Sequence, residues 1–123
     1  MKLLRGKTIF FALFITITIA VLSLVKVGIQ SINFTYLDKV EHFIAYFVLC
    51  FLWLVSIKKR GTKFAVILAV VLYGILLEVL QSVLTDYRTF DYMDMLANTF
   101  GALFAFLAYK HIEKKHFKLL NSL

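Results

Sequence analysis

Long apolar runs alternate with short polar connections along the chain. Residues 8–25 form 18 positions without a charge, and residues 64–84 form 21 positions with one charge. Two uncharged runs of 15 residues, 43–57 and 95–109, are each extended at their start by polar positions. A helix needs about 20 residues to cross the hydrocarbon core of a bilayer. The pattern therefore predicts an all-α fold, a four-transmembrane-helix bundle. Its helices are expected at about residues 8–25, 40–57, 64–84 and 92–110, within a single transmembrane domain of residues 1–123.

The composition excludes a soluble domain of this size. The chain is 62% hydrophobic and has a mean hydropathy of +0.88. Basic residues before the first run resemble the start of a signal sequence, but the run is longer than a signal core and no clear cleavage site follows it. We therefore expect a retained signal-anchor helix. The single cysteine, Cys50, lies in the second run and is expected to pack as a small apolar residue.

Basic residues are concentrated at three of the four polar ends. The N-terminus, the connection between the second and third runs and the C-terminal tail together hold 11 of the 14 basic residues and one acid, a charge of +10. The opposite side holds three basic and six acidic residues, a charge of −3. Because basic residues mark the cytoplasmic side, both termini are expected in the cytoplasm. The net charge of +7 is thus a topology signal, and nucleic acid is not an expected partner.

Polar residues of three predicted helices reach similar depths at the outer side. By helical rise, His42 lies about 6 Å, Glu78 about 9 Å and Asn98 about 10 Å from the ends of their helices. This outer layer contains Asp38, Lys39, Glu41, His42, Glu78, Gln81, Asp91, Asp94 and Asn98, with Arg88 in the connection above it.

Helical spacing places these polar residues on the same faces as small ones. Gly74, Glu78 and Gln81 follow one such spacing, and Asp94 and Asn98 begin another that continues into small residues. Small residues let membrane helices approach closely, and a carboxylate facing lipid would cost roughly 2.5 to 3.5 kcal/mol. The polar stripes are therefore predicted to face one another inside the bundle.

The order and spacing of these residues resemble the VanZ-like family of small bacterial membrane proteins, over about residues 38–109. The motifs are Asp38-Lys39-x-x-His42-Phe43, Gly74-x-x-x-Glu78-x-x-Gln81 and Arg88-x-x-Asp91-x-x-Asp94-x-x-x-Asn98-x-x-Gly101. The resemblance implies a multi-pass protein of the bacterial inner (cytoplasmic) membrane and, for the name-giving member, low-level resistance to the glycopeptide teicoplanin. The name-giving branch lacks the Asp-Lys-x-x-His signature, which places this chain in another branch.

One interpretation is an outward-facing site that binds or modifies a lipid-linked cell-envelope molecule. His42 would be a general base, and Glu78 or Asp94 a general acid, since groups that titrate near neutrality suit proton transfer. Lys39 and Arg88 would bind a phosphate of the head group. The remaining candidate substrate-binding residues are Asp38, Gln81, Asp91 and Asn98.

Two other interpretations stay open. The polar layer could be a buried network that holds the helices in register, as buried ionic groups sometimes do. It could also belong to a proton-linked transporter, although nothing ionisable continues the path through residues 46–57 or 64–71.

No metal and no cofactor are expected from the sequence. A metal site of His42, Glu78 and Asp94 is geometrically possible, but a lone histidine without a second histidine or cysteine argues against it. The expected partner is a membrane lipid or a lipid-linked envelope precursor, and the bundle could also form an oligomer.

Overall fold

The computed structural model describes residues 2–25, 35–57, 59–85 and 90–122. Within these ranges the chain forms four α-helices and no strand, which confirms the all-α class. They are α1 (Lys2–Leu24), α2 (Thr35–Ser56), α3 (Lys63–Leu84) and α4 (Tyr92–Ser122), with a short 3₁₀ turn at Arg60–Thr62 before α3.

Three of the described helices have the length and hydropathy of membrane spans. These spans are Gly6–Leu24 in α1, Leu37–Ser56 in α2 and Lys63–Leu84 in α3. Helix α4 falls short of the same hydropathy because Asp94 and Asn98 interrupt its apolar part and a basic tail follows it. The described part of the chain thus contains three helices that are long and apolar enough to cross a membrane.

The helices at both ends of the chain are longer than the sequence predicts. Helix α1 begins at Lys2 instead of about residue 8, and α4 continues to Ser122 instead of ending near residue 110. Charge marked these predicted boundaries, but charge does not end a helix. Residues 110–122 contain no glycine or proline, and they include four lysines, two leucines and one glutamate, which favour the helical backbone.

Helix α2 packs along α4 at very short range. Gly101 of α4 lies against the backbone of α2, where an added Cβ would overlap the carbonyl oxygen of Phe43 and lie 3.1 Å from the amide nitrogen of Phe47. Cys50 of α2 and Ala105 of α4 are fully buried nearby, and the cysteine packs as the sequence predicted. Small residues therefore set the separation of these two helices.

The end of the bundle where α3 begins is held by a buried lysine. Lys63 Nζ donates hydrogen bonds of 2.6 Å to the carbonyl oxygens of Leu54 and Ile57, and it lies 4.8 Å from the centre of the Tyr109 ring. These carbonyls lie in the last turn of α2 and just beyond it, where no helical N–H is left to bond them. Lys63 thus caps α2 from α3.

Candidate functional site

An ionic cluster lies at the opposite end of the bundle, where α2 and α4 begin. Asp38, Lys39 and His42 occupy the first turns of α2, and Asp94 occupies the first turn of α4. Asp91 immediately precedes α4. We refer to these five residues as the ionic cluster.

The ammonium group of Lys39 is the centre of the ionic cluster. Lys39 Nζ donates to Asp94 Oδ1 at 2.5 Å, to Asp91 Oδ2 at 2.6 Å and to Asp38 Oδ2 at 3.3 Å. The hydrogen bond and charge of Lys39 hold the pKa of Asp91 below its ordinary value. Lys39 therefore joins α2 to the start of α4 through charge-assisted hydrogen bonds.

The imidazole of His42 is oriented by Asn98 of α4. His42 Nδ1 lies 3.0 Å from Asn98 Oδ1, an oxygen that can only accept, so Nδ1 carries the proton and donates it. His42 Nε2 faces two carboxylates, at 3.7 Å from Asp38 Oδ1 and 3.6 Å from Asp94 Oδ2. Both distances exceed a direct hydrogen bond.

The two polar residues of α3 support the site from the side. Glu78 is 3% exposed, and its Oε1 accepts a hydrogen bond of 3.1 Å from the backbone N–H of Asp91. Gln81 Nε2 donates to the carbonyl oxygen of Ser23 in α1 at 2.7 Å. Glu78 thus positions the start of α4, whereas Gln81 connects α3 to α1.

The structure brings together most of the residues that the sequence singled out. Asp94 and Asn98 are buried on the inner face of α4, and Glu78 and Gln81 on that of α3, as their helical spacing predicted. Glu41 is exposed and does not share that inner face. Arg88 lies outside the described residues.

One predicted role bears on the charge of the site. Lys39 was predicted to bind a phosphate; in the structure its ammonium group lies 2.5–3.3 Å from three carboxylates and its side chain is 19% exposed. With His42 neutral and all three aspartates ionised, one ammonium and three carboxylates would give the ionic cluster a charge of −2. An anionic layer favours cations and hydrogen-bond donors over a bare phosphate.

Two residues have surroundings that their sequence patterns did not predict. Asp38, not Glu78, lies beside His42 and Asp94, and the spacing of four between Asp38 and His42 was the available signal. Lys63 was expected to belong to a basic connection, but this lysine is 7% exposed and caps α2. No pattern around Lys63 distinguishes it from its exposed neighbours.

A eukaryotic protein is similar to part of the chain. The uncharacterized protein C11E3.10 of Schizosaccharomyces pombe is 40% identical over 73 residues, which are 57% of this chain and 44% of the yeast protein. The chain thus spans less than half of the length of this relative. Because the relative is from yeast, the bacterial inner-membrane location stays a prediction. No solved structure matches the chain.

The family assignment rests on nearly the whole chain. The model of the VanZ/LLP1 family matches residues 3–113, which include α2, α3, the complete ionic cluster, nearly all of α1 and α4 as far as residue 113. This range is wider than the resemblance at residues 38–109 and adds α1. Over these 111 residues the chain belongs to the VanZ/LLP1 family.

Proposed function

We propose that the ionic cluster binds the polar head group of a membrane lipid or of a lipid-linked molecule. The observation that supports this most is its partial exposure. The side chains of Asp91 and Asp38 are 41% and 32% exposed, whereas the residues below the cluster form an apolar core. A network that served only to hold helices together would not need to open at the ends of the helices.

The chemistry of the cluster favours a head group rich in hydroxyl or amine donors. Its carboxylates accept hydrogen bonds, and His42 would serve as the general base where a proton must be removed. Sugars and ethanolamine carry such donors at the depth of the lipid head groups. In a bacterial host, a lipid-linked envelope precursor is the corresponding ligand, and a change in glycopeptide susceptibility is the expected phenotype.

A structural role is the second candidate, and one observation favours it. Lys39 connects α2 to Asp94 of α4 and to Asp91, which immediately precedes α4. In the described part of the chain, no buried side-chain nitrogen or oxygen lacks a hydrogen-bond partner. A satisfied network of this kind fixes how helices pair. Proton transport has less support, because Leu49, Cys50 and Leu54 continue the core below His42 without an ionisable path.

We further propose that α4 is a fourth span and that both termini lie in the cytoplasm. Helix α4 has 31 residues, about 46 Å at the helical rise, which exceeds the hydrocarbon thickness. Its buried inner residues pack on α2 and α3, so its polar residues are shielded from lipid. The basic tail supports a cytoplasmic C-terminus, which would place the ionic cluster at the outer surface.

Reporter fusions test this topology. In a bacterial host, green fluorescent protein fused after Leu123 is expected to fluoresce, and alkaline phosphatase fused there is expected to be inactive. The first reporter becomes fluorescent only in the cytoplasm, and the second becomes active only outside it. Fusions after residue 87, between α3 and α4, should give the reverse. Active phosphatase at both positions would show that α4 does not cross and that the protein has three spans.

Lipid retention tests the head-group proposal. The protein is purified from its host in mild detergent, and the lipids that remain bound are identified by native mass spectrometry. His42→Gln and Asp91→Asn are expected to lower the retained amount of one head-group class at least tenfold. His111→Gln, an exposed histidine of the tail, is the matched control and should retain it.

The same variants separate the proposal from the structural alternative. Equal helix content and elution volume, with loss of the lipid, support a binding site. Folded variants that retain the same lipids as the wild type contradict the head-group proposal. Loss of folding at both positions, with normal folding of the control, would favour the structural network.

A further inference from the structure

We infer that Asp38, His42 and Asp94 form a site for a divalent first-row transition-metal ion, such as Zn²⁺ or Mn²⁺. The site lies on the face of the ionic cluster that is turned away from Lys39. This metal site differs from the one weighed from the sequence, because Glu78 is directed to the backbone of Asp91 instead.

The carboxylates of Asp38 and Asp94 each face Lys39 with one oxygen and His42 with the other. Asp38 directs Oδ2 to the ammonium group of Lys39 and Oδ1 to the imidazole of His42. Asp94 does the same with Oδ1 and Oδ2. Lys39 thereby fixes one oxygen of each aspartate and leaves the other directed to the same side of His42.

The resulting triangle has the dimensions of a metal-ligand set. The distances from His42 Nε2 to Asp38 Oδ1 and Asp94 Oδ2 are 3.7 and 3.6 Å, and the ligand atoms of the three residues lie within 4.8 Å of one another. Nitrogen and oxygen ligands about 2.1 Å from a tetrahedral ion are separated by about 3.4 Å. A small displacement of these side chains closes the set around an ion.

The tautomer of His42 fits a metal ligand. Because Nδ1 donates to Asn98 Oδ1, the lone pair of a neutral imidazole is on Nε2 and faces the two carboxylates. Histidines that bind metals commonly donate their other ring N–H to an oxygen in this way, which orients the ring. Asn98 is therefore a positioning residue for the site.

Charge gives an independent reason for a cation. Two carboxylate oxygens and the lone pair of a neutral imidazole converge at this point, so a cation placed between them would be attracted to all three. Lys39 cannot supply it, because its ammonium group contacts the other oxygens of both aspartates. An imidazole with carboxylates favours ions such as Zn²⁺ and Mn²⁺, whereas Mg²⁺ and Ca²⁺ prefer oxygen ligands alone.

A bound ion would also allow a phosphate to approach the ionic cluster, which would otherwise repel it. Three protein ligands leave coordination positions open, as in catalytic metal sites. A divalent ion cancels the charge of −2 on the ionic cluster, so a phosphate of a lipid head group could occupy an open position. This last step rests on the proposed head-group function, whereas metal binding itself does not.

Metal titration of the purified full chain tests the inference. The protein is stripped with a chelator in detergent and titrated with Zn²⁺ and with Mn²⁺ by calorimetry, and bound metal is counted by elemental mass spectrometry. The tail histidines His111 and His116 are first replaced by glutamine, because they could bind Zn²⁺ on their own. This background is expected to bind one ion per chain.

Substitutions of the ligand residues and of Asn98 test whether the bound ion lies at this site. In that background, His42→Gln and Asp38→Asn are each expected to weaken binding at least tenfold, and Asn98→Ala should weaken it while leaving some binding. If His42→Gln does not fold, Asp38→Asn still tests the site, because the side chain of Asp38 is more exposed than that of His42.

The inference would be overturned if the folded protein without the two tail histidines bound neither ion. It would also be overturned if folded His42→Gln or Asp38→Asn bound the ion with unchanged affinity.

Metal and lipid results can be read separately. Retention of the head group by a protein whose unsubstituted site binds no metal would overturn this inference and leave the proposed function in place. A stoichiometric metal without any retained head group would support the metal site and contradict the proposed function.

Discussion

Replacing Lys39 with methionine is expected to destabilise the helix bundle by about 3 kcal/mol, at the lower end of the cost of breaking a buried ion pair. The ammonium group holds three carboxylates within 3.3 Å. Without it, Asp38, Asp91 and Asp94 repel one another at the point where α2 meets α4. Methionine keeps the length of the side chain, so the effect isolates the charge.

Unfolding in mixed micelles with increasing dodecyl sulfate, followed by circular dichroism, measures this loss. Lys114→Met removes an exposed lysine of the tail and is expected to leave the midpoint unchanged. Adding Asp94→Asn to Lys39→Met should recover part of the stability, because it removes one of the crowded charges. A normal midpoint for Lys39→Met alone would show that the ionic cluster contributes little to folding.

The change of stability with pH should have opposite signs in the wild type and in Lys39→Met. The pKa of Asp91, ordinarily 3.8, is lowered in the folded wild type by Lys39. A lowered folded pKa contributes stability above the unfolded value, and this is lost as pH falls through the folded value. The stability that Asp91 contributes to the wild type should therefore be lost in acid, as chemical denaturation at a series of pH values would show, whereas Lys39→Met should gain stability as its repelling carboxylates become protonated.

Replacing Gly101 with alanine is the second large effect expected. The added Cβ would overlap the carbonyl oxygen of Phe43 and crowd the amide nitrogen of Phe47. Backbone atoms cannot move aside as a flexible side chain can, so α2 and α4 must separate. We expect a loss of about 3 kcal/mol, at the upper end for overpacking.

A second glycine provides the control for Gly101→Ala. Gly6 lies in α1 with nothing within 4 Å of an added Cβ, so Gly6→Ala should be neutral or stabilise by up to about 1 kcal/mol through helix propensity. Both variants are compared with the wild type in the same dodecyl sulfate titration. Equal midpoints for Gly101→Ala and the wild type would contradict the close approach of α2 and α4.

The sequence predicted which faces of the helices are buried because lipid imposes a simple rule. A carboxylate or amide inside a long apolar run must turn toward other helices, so helical spacing alone placed Glu78, Gln81, Asp94 and Asn98 inside. The same reasoning could not choose their partners. Pairing depends on how far each helix is shifted along its neighbour, and that shift is set by contacts such as Gly101 on Phe43.

The limits of the helices were harder to predict than their number. Charges suggested boundaries near residues 8 and 110, but a helix continues through charged residues wherever no residue disfavours its backbone. Lys63 shows the same difficulty at the level of a side chain. Only the fold reveals that its ammonium group reaches the last carbonyls of α2, because those carbonyls lie across a connection.

The ion pairs of Lys39 have a consequence for the biosynthesis of the protein. Its partners Asp91 and Asp94 follow it by 52 and 55 residues, so α2 leaves the ribosome long before they exist. Until α4 is synthesised, Lys39 lacks its two partners on the α4 side, and a charged helix start is costly to move across a bilayer. On the proposed four-span topology, we therefore expect the membrane insertion of α2 and α4 to be coupled, with α2 kept near the insertion machinery until α4 arrives.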